Sequence, residues 1–118
     1  MARALIESQA VVPGGMWPTL VPAVAAGHRF ANTFGGESRM FLLVTNAHAS
    51  PITVTIPSTF VRDGLTLANR IVTVPNGTSR LIGPILGEFH NQLSGADTGQ
   101  TYVDYSAVTA ITVAVLRI

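Results

Sequence analysis

The chain has 118 residues, of which 47% are hydrophobic and only 11% charged, with a formal net charge of +1. That length suits one domain with a core of its own, and the apolar content excludes a disordered tail. The near-zero charge excludes a field that would gather nucleic acid or anionic lipid, and the absence of cysteine excludes a disulfide framework or a thiolate metal site.

All seven basic residues are Arg, a residue whose planar fork suits interface ion pairs. With so few charges the solvated faces have to be built from Thr, Ser, Asn and Gly. A surface of that kind is poorly protected against self-association, so part of it is expected to lie under partners.

In chain order, the N-terminus lacks the apolar stretch of a secretory signal. The apolar region 16–27 is interrupted by Pro18 and Pro22 and is too short to span a bilayer. Synthesis in the cytoplasm is the expectation. Residues 5–12 read as a first strand. Pro13-Gly14-Gly15-Met16-Trp17-Pro18-Thr19-Leu20-Val21-Pro22 cannot be helical, because proline removes amide donors and holds its predecessor extended. Residues 1–27 are therefore expected as an extended apolar arm, followed by a β-sandwich over 28–118. The arm has two possible dispositions. It lies across the domain's own core with Trp17 as a plug, or it docks on a neighbouring subunit. In the second case Val11, Val12, Met16, Trp17, Leu20 and Val21 supply apolar contacts, with Arg29 and Arg39 as cationic anchors.

From His28 onward, period-two alternation predicts strands over 28–32, 39–46, 51–57, 69–75, 79–84, 100–105 and 108–117. Ile52, Val54 and Ile56 share one face with Thr53 and Thr55 opposite, the pattern of a half-buried strand. The last strand is apolar on both faces, so it is either central in a sandwich or in contact with another chain. Pro75-Asn76-Gly77-Thr78 carries the Asn-Gly signal of a hairpin, and Asp63-Gly64 and Gly95-Ala96-Asp97-Thr98-Gly99 are further turns. The only helical expectation is a single turn over 65–69. The fold class is thus all-β: a single-domain antiparallel β-sandwich, jelly-roll or immunoglobulin-like, with an extended N-terminal arm rich in Pro and Gly.

Candidate chemistry is sparse. Asp97-Thr98-Gly99 matches the tripeptide of retroviral-type aspartic proteases, but that motif should follow an apolar strand early in the chain. Here Ser94-Gly95-Ala96 precedes it, and it reads as a polar turn. His28, His48 and His90 are too far apart in sequence to form a local zinc motif. Glu7, Glu37, Asp63, Glu88, Asp97 and Asp104 show no local pairing for two-carboxylate hydrolysis, and no calcium-loop spacing is present. Gly35-Gly36-Glu37-Ser38 reads as a turn rather than a nucleophile elbow. Tyr102 and Tyr105 differ by three, so they point to opposite faces of a strand and make a poor stacking platform for sugars. No catalytic residue, metal or cofactor is expected.

Ala49-Ser50-Pro51-Ile52-Thr53-Val54-Thr55, Asp63-Gly64-Leu65, Arg70-Ile71-Val72-Thr73-Val74-Pro75, Arg80-Leu81-Ile82-Gly83-Pro84, and Tyr102-Val103-Asp104-Tyr105-Ser106 with the last strand carry a resemblance over 46–118. They resemble a family of small proteins encoded in tailed-phage structural operons, beside the major capsid gene. The resemblance implies a head decoration or minor capsid protein, located on the capsid exterior. Such a protein is a β-domain that binds the major capsid protein and itself, commonly as a homotrimer, and reinforces the shell without catalysis. The rival readings are a carbohydrate-binding or adhesion module and a head–tail connector or tail component.

Overall fold

Period-two alternation decides which side of each strand is buried. Along Met40–Asn46 and Ile52–Ile56 every second residue is buried, so each strand offers one apolar row to a facing sheet. The computed structural model describes residues 3–32 and 40–118. Its elements are β1 (Ala4–Leu5), β2 (Ser8–Ala10), β3 (Val21–Pro22), β4 (His28–Ala31), β5 (Met40–Asn46), β6 (Ile52–Ile56), β7 (Val61–Arg62), β8 (Leu65–Thr66), β9 (Arg70–Val74), β10 (Thr78–Ile82), α1 (Gly87–His90), β11 (Gln100–Tyr105) and β12 (Ile111–Arg117).

Two sheets stack into a sandwich-like globule. The first has the order β1-β4-β11-β6-β9 and the second β10-β5-β12-β2, with β3 also paired to β12. Phe30, Leu42, Val44, Val54, Val103 and Val113 are fully buried in the core between them. The seven strands predicted from His28 onward all form, with ends shifted by at most three residues; Arg39, at the start of one of them, and the predicted turn Gly35-Gly36-Glu37-Ser38 lie outside the described residues. The last strand is central, between β5 on one side and β2 and β3 on the other.

Four expectations are corrected. The sheets are mixed rather than antiparallel, because β1 runs parallel to β4 and β2 parallel to β12. The long excursion between each N-terminal strand and its partner permits this, where a tight turn would force antiparallel pairing. The predicted first strand over 5–12 is two strands in opposite sheets. The chain crosses at Ile6 and Glu7, and Ile6 is buried in the core.

Pro75-Asn76-Gly77-Thr78 is a corner between sheets rather than a hairpin: β9 pairs with β6 and β10 with β5. Gly77 has the left-handed φ of 75° that the Asn-Gly signal implies. Its amide, however, donates to the Asn46 carbonyl at 2.7 Å, which turns the chain toward the second sheet. The single helical turn falls on α1, not on 65–69. There Asp63 and Gly64, with φ of 53° and 77°, form the two-residue link of the β7–β8 hairpin.

The N-terminal segment supplies β1, β2 and β3 to the two sheets and is laid along the domain itself. β2 covers Val115–Arg117, and β3 covers the same side of β12 at Thr112 and Val113. Trp17 is not a plug. Ile6 and Ala23 are the residues of this segment that enter the core, while Trp17 stands 77% exposed.

Candidate functional site

Between β2 and β3 the chain leaves the edge of β12 and returns, and the base of this detour is clamped. The Gln9 side chain donates through Nε2 to the Thr19 carbonyl and accepts through Oε1 from the Thr19 amide, both at 2.9 Å. The Val11 amide donates to the Arg117 carbonyl at 2.9 Å, and Gly15 closes a turn onto the Val12 carbonyl. Arg117 in turn donates to the Ser8 hydroxyl and carbonyl.

The sequence of this loop accounts for its shape, since Pro13 and Pro18 lack amide donors and Gly14 and Gly15 disfavour regular structure. It presents Val11, Val12, Met16 and Trp17 to solvent together, on a base pinned to the second sheet. Leu20 is half-buried at the return, and Val21 packs against the core from β3. Of the predicted interface residues, the structure thus gathers four on one exposed loop and turns Val21 inward.

Arg29 belongs to a polar network on the outer face of the first sheet. Its Nη1 donates to Gln100 Oε1 at 2.7 Å, and its Nε lies 3.7 Å from Asp97 Oδ1. Asp97 Oδ2 accepts from the Tyr102 hydroxyl at 2.7 Å, and this bond holds the phenol above its ordinary pKa. Arg3 lies over the Tyr102 ring at 4.1 Å, pairs with Asp104 at 2.7 Å and donates to the Val103 carbonyl. The Asp97-Thr98-Gly99 segment forms a turn in which the Thr98 hydroxyl donates to the Gly95 carbonyl and Gly99 takes a φ of 83°. Asp97 therefore ties that turn to β4 and β11.

The three histidines are held apart. His28 is 3% exposed, with Nδ1 2.7 Å from the Tyr105 hydroxyl. Burial lowers the His28 pKa and raises that of Tyr105. His90 Nδ1 lies 3.0 Å from the Pro57 carbonyl, and His48 Nδ1 accepts the Ser50 amide. No group of three potential metal ligands occurs among the described residues.

A second surface lies on the far side of the sandwich, where β9 and β10 end their respective sheets. A cleft of about 430 Å³ opens between them, floored by Ile56, Val72, Ile82, Ile85 and Phe89 and rimmed by Arg70 and Arg80. The sequence contained a signal for it. Arg70 alternates with Val72 and Val74, and Arg80 with Ile82, which puts a charge on the inward row of two edge strands. An Asn-Gly hairpin at this corner would pair those edges with each other and leave no cleft, whereas β9 pairs with β6 and β10 with β5.

No protein-family model matches the chain, and neither a curated protein nor a solved structure matches it.

Proposed function

We propose that this chain is a structural, non-catalytic virion protein of jelly-roll or immunoglobulin-like type. It binds the exterior of an assembled phage capsid and stabilises it as a homo-oligomer, with the major capsid protein as partner. The observation that carries this reading is the clamped loop bearing Val11, Val12, Met16 and Trp17 in the open.

A large aromatic side chain buries roughly 150–250 Å² and Trp17 is 77% exposed, so at about 25 cal/mol/Å² covering it is worth on the order of 3–5 kcal/mol before the costs of association. Because the loop's base is already fixed, little further ordering is needed on docking. The scarcity of charge elsewhere agrees with a surface that operates under neighbours.

The test is cosedimentation of the purified chain with empty capsids, together with the melting temperature of the shells. Binding in proportion to the major capsid protein and a raised melting temperature are expected, and both should be lost in Trp17→Asp with the circular dichroism spectrum unchanged. A chain that stays monomeric at high concentration and leaves the shells unaltered would overturn the reading. Restriction to one vertex would replace it with a connector role, and saturable binding to a defined sugar on a glycan array with an adhesion role.

A further inference from the structure

We propose that the cleft between β9 and β10 receives an extended, acidic segment of another polypeptide, which adds one strand to a sheet edge at the cleft rim. This inference is independent of the loop bearing Trp17 and of the shell-docking reading.

Two bare backbone edges frame the cleft. The pairing of β9 is to β6 and that of β10 is to β5, and among the described residues no backbone hydrogen bond joins β9 to β10. The free amides and carbonyls of an edge strand point along its own sheet, so a strand laid at the rim pairs with one of the two edges, β9 or β10. Its inward side chains would meet Ile56, Val72, Ile82 and Phe89, which calls for aliphatic residues at alternate positions.

Charge fixes the remaining chemistry. Arg70 and Arg80 are exposed at the rim, and neither is ion-paired among the described residues. Among the described residues, the only hydrogen bond from the Arg80 side chain runs to the adjacent Ser79 carbonyl. Two guanidinium groups beside an apolar floor favour a carboxylate, which Arg binds through its fork. They also oppose pairing with an uncharged or basic edge, a second copy of this one included. A fatty-acid-like anion would satisfy the floor and the cations but leave the two edges without partners, so the backbone of a peptide is the better fit.

Selection of short random peptides displayed against the full-length protein tests this. Enrichment of sequences with alternating aliphatic residues and an Asp or Glu is expected. A synthetic copy of the best should protect the amides of β9 or of β10 from hydrogen exchange. Its affinity should fall about tenfold or more in the Arg70→Gln/Arg80→Gln double variant, whose fold is verified by its melting curve. Four results would each overturn the proposal: no enrichment, selected peptides that protect neither edge, equal binding by the double variant, or decanoate occupying the cleft where no peptide does.

Discussion

The two flanks of the sandwich are each made by one stretch of chain that leaves one sheet and enters the other, yet one flank is closed and the other open. On the N-terminal flank the link between β1 and β2 is only Ile6 and Glu7. Ile6 fills the gap between the sheets, and Arg3 bolts the segment to Asp104, Val103 and Tyr102. On the far flank the link is Pro75, Asn76 and Gly77, and the strands it joins are five residues each. Here the sheets are joined at the corner and again through residues 83–90, where the Ile85 amide donates to the Met40 carbonyl and His90 Nδ1 lies 3.0 Å from the Pro57 carbonyl, and the cleft rimmed by Arg70 and Arg80 stays open between them. A short crossing with a buried aliphatic residue seals an edge, whereas a tight corner followed by long strands leaves two edges exposed for use.

Gly27 gives the largest expected effect. With a φ of 85° it sits where an added Cβ would lie 2.7 Å from both Asp104 Oδ1 and the Val103 carbonyl, and against Arg3 Nη1. Left-handed geometry costs a non-glycine residue roughly 1–2 kcal/mol. The collision with a backbone carbonyl adds to that, so Gly27→Ala should destabilise by about 3 kcal/mol or more in urea unfolding. A loss under about 1 kcal/mol would mean that the N-terminal flank is not closed by this close approach.

Asn46 plays the matching part at the open flank. It is 1% exposed, donates through Nδ2 to the Val74 and Ser50 carbonyls at 2.9 and 3.0 Å, and accepts the His48 amide at 2.8 Å. Asn46→Ala strands a buried carbonyl and should cost about 2–3 kcal/mol. Hydrogen exchange sharpens the comparison, because the lost protection should concentrate at the β9–β10 corner and spare β1 and β4.

The difference between the flanks also marks what the sequence made legible. Strands such as Ile52–Ile56 were readable because a half-buried strand writes its burial directly into alternate residues. The partner of each strand was not. Asn76-Gly77 signals positive φ, taken up at Gly77, and that local geometry serves a hairpin and a corner between sheets equally well; the choice is made by the Asn46 carbonyl, far away in sequence. In the same way nothing local at Ile6 and Glu7 announces a change of sheet. The exposed loop at Val11–Trp17 was legible as apolar and non-helical, but its exposure depends on the Gln9 clamp to Thr19, which has no sequence signature.

His28 makes the closed flank sensitive to pH. Its folded-state pKa lies below the ordinary 6.5, because burial penalises the imidazolium. The folded state thus binds fewer protons than the unfolded chain. Stability is complete above pH 6.5 and is lost as pH falls from there through the folded value. Unfolding free energies at pH 7.5 and 5.0 should show this drop, and the part due to His28 should vanish in His28→Gln. An equal drop in that variant would move the sensitivity elsewhere.

The smallest effects separate the flanks most cleanly, because they compare arginines with each other. Arg3 pairs with a partly exposed Asp104, so screening keeps the ion pair weak; with its ring and carbonyl contacts Arg3→Ala should cost about 1 kcal/mol. Among the described residues Arg70 and Arg80 hold nothing across the cleft, and Arg70→Gln and Arg80→Gln should each change stability by less than about 0.5 kcal/mol. The contrast follows from geometry alone: one guanidinium joins two parts of the chain, and the other two face an unfilled space. Were either rim arginine to cost as much as Arg3, the far flank would be held shut by its own side chains. The asymmetry that leaves two edges available to a partner would then be lost.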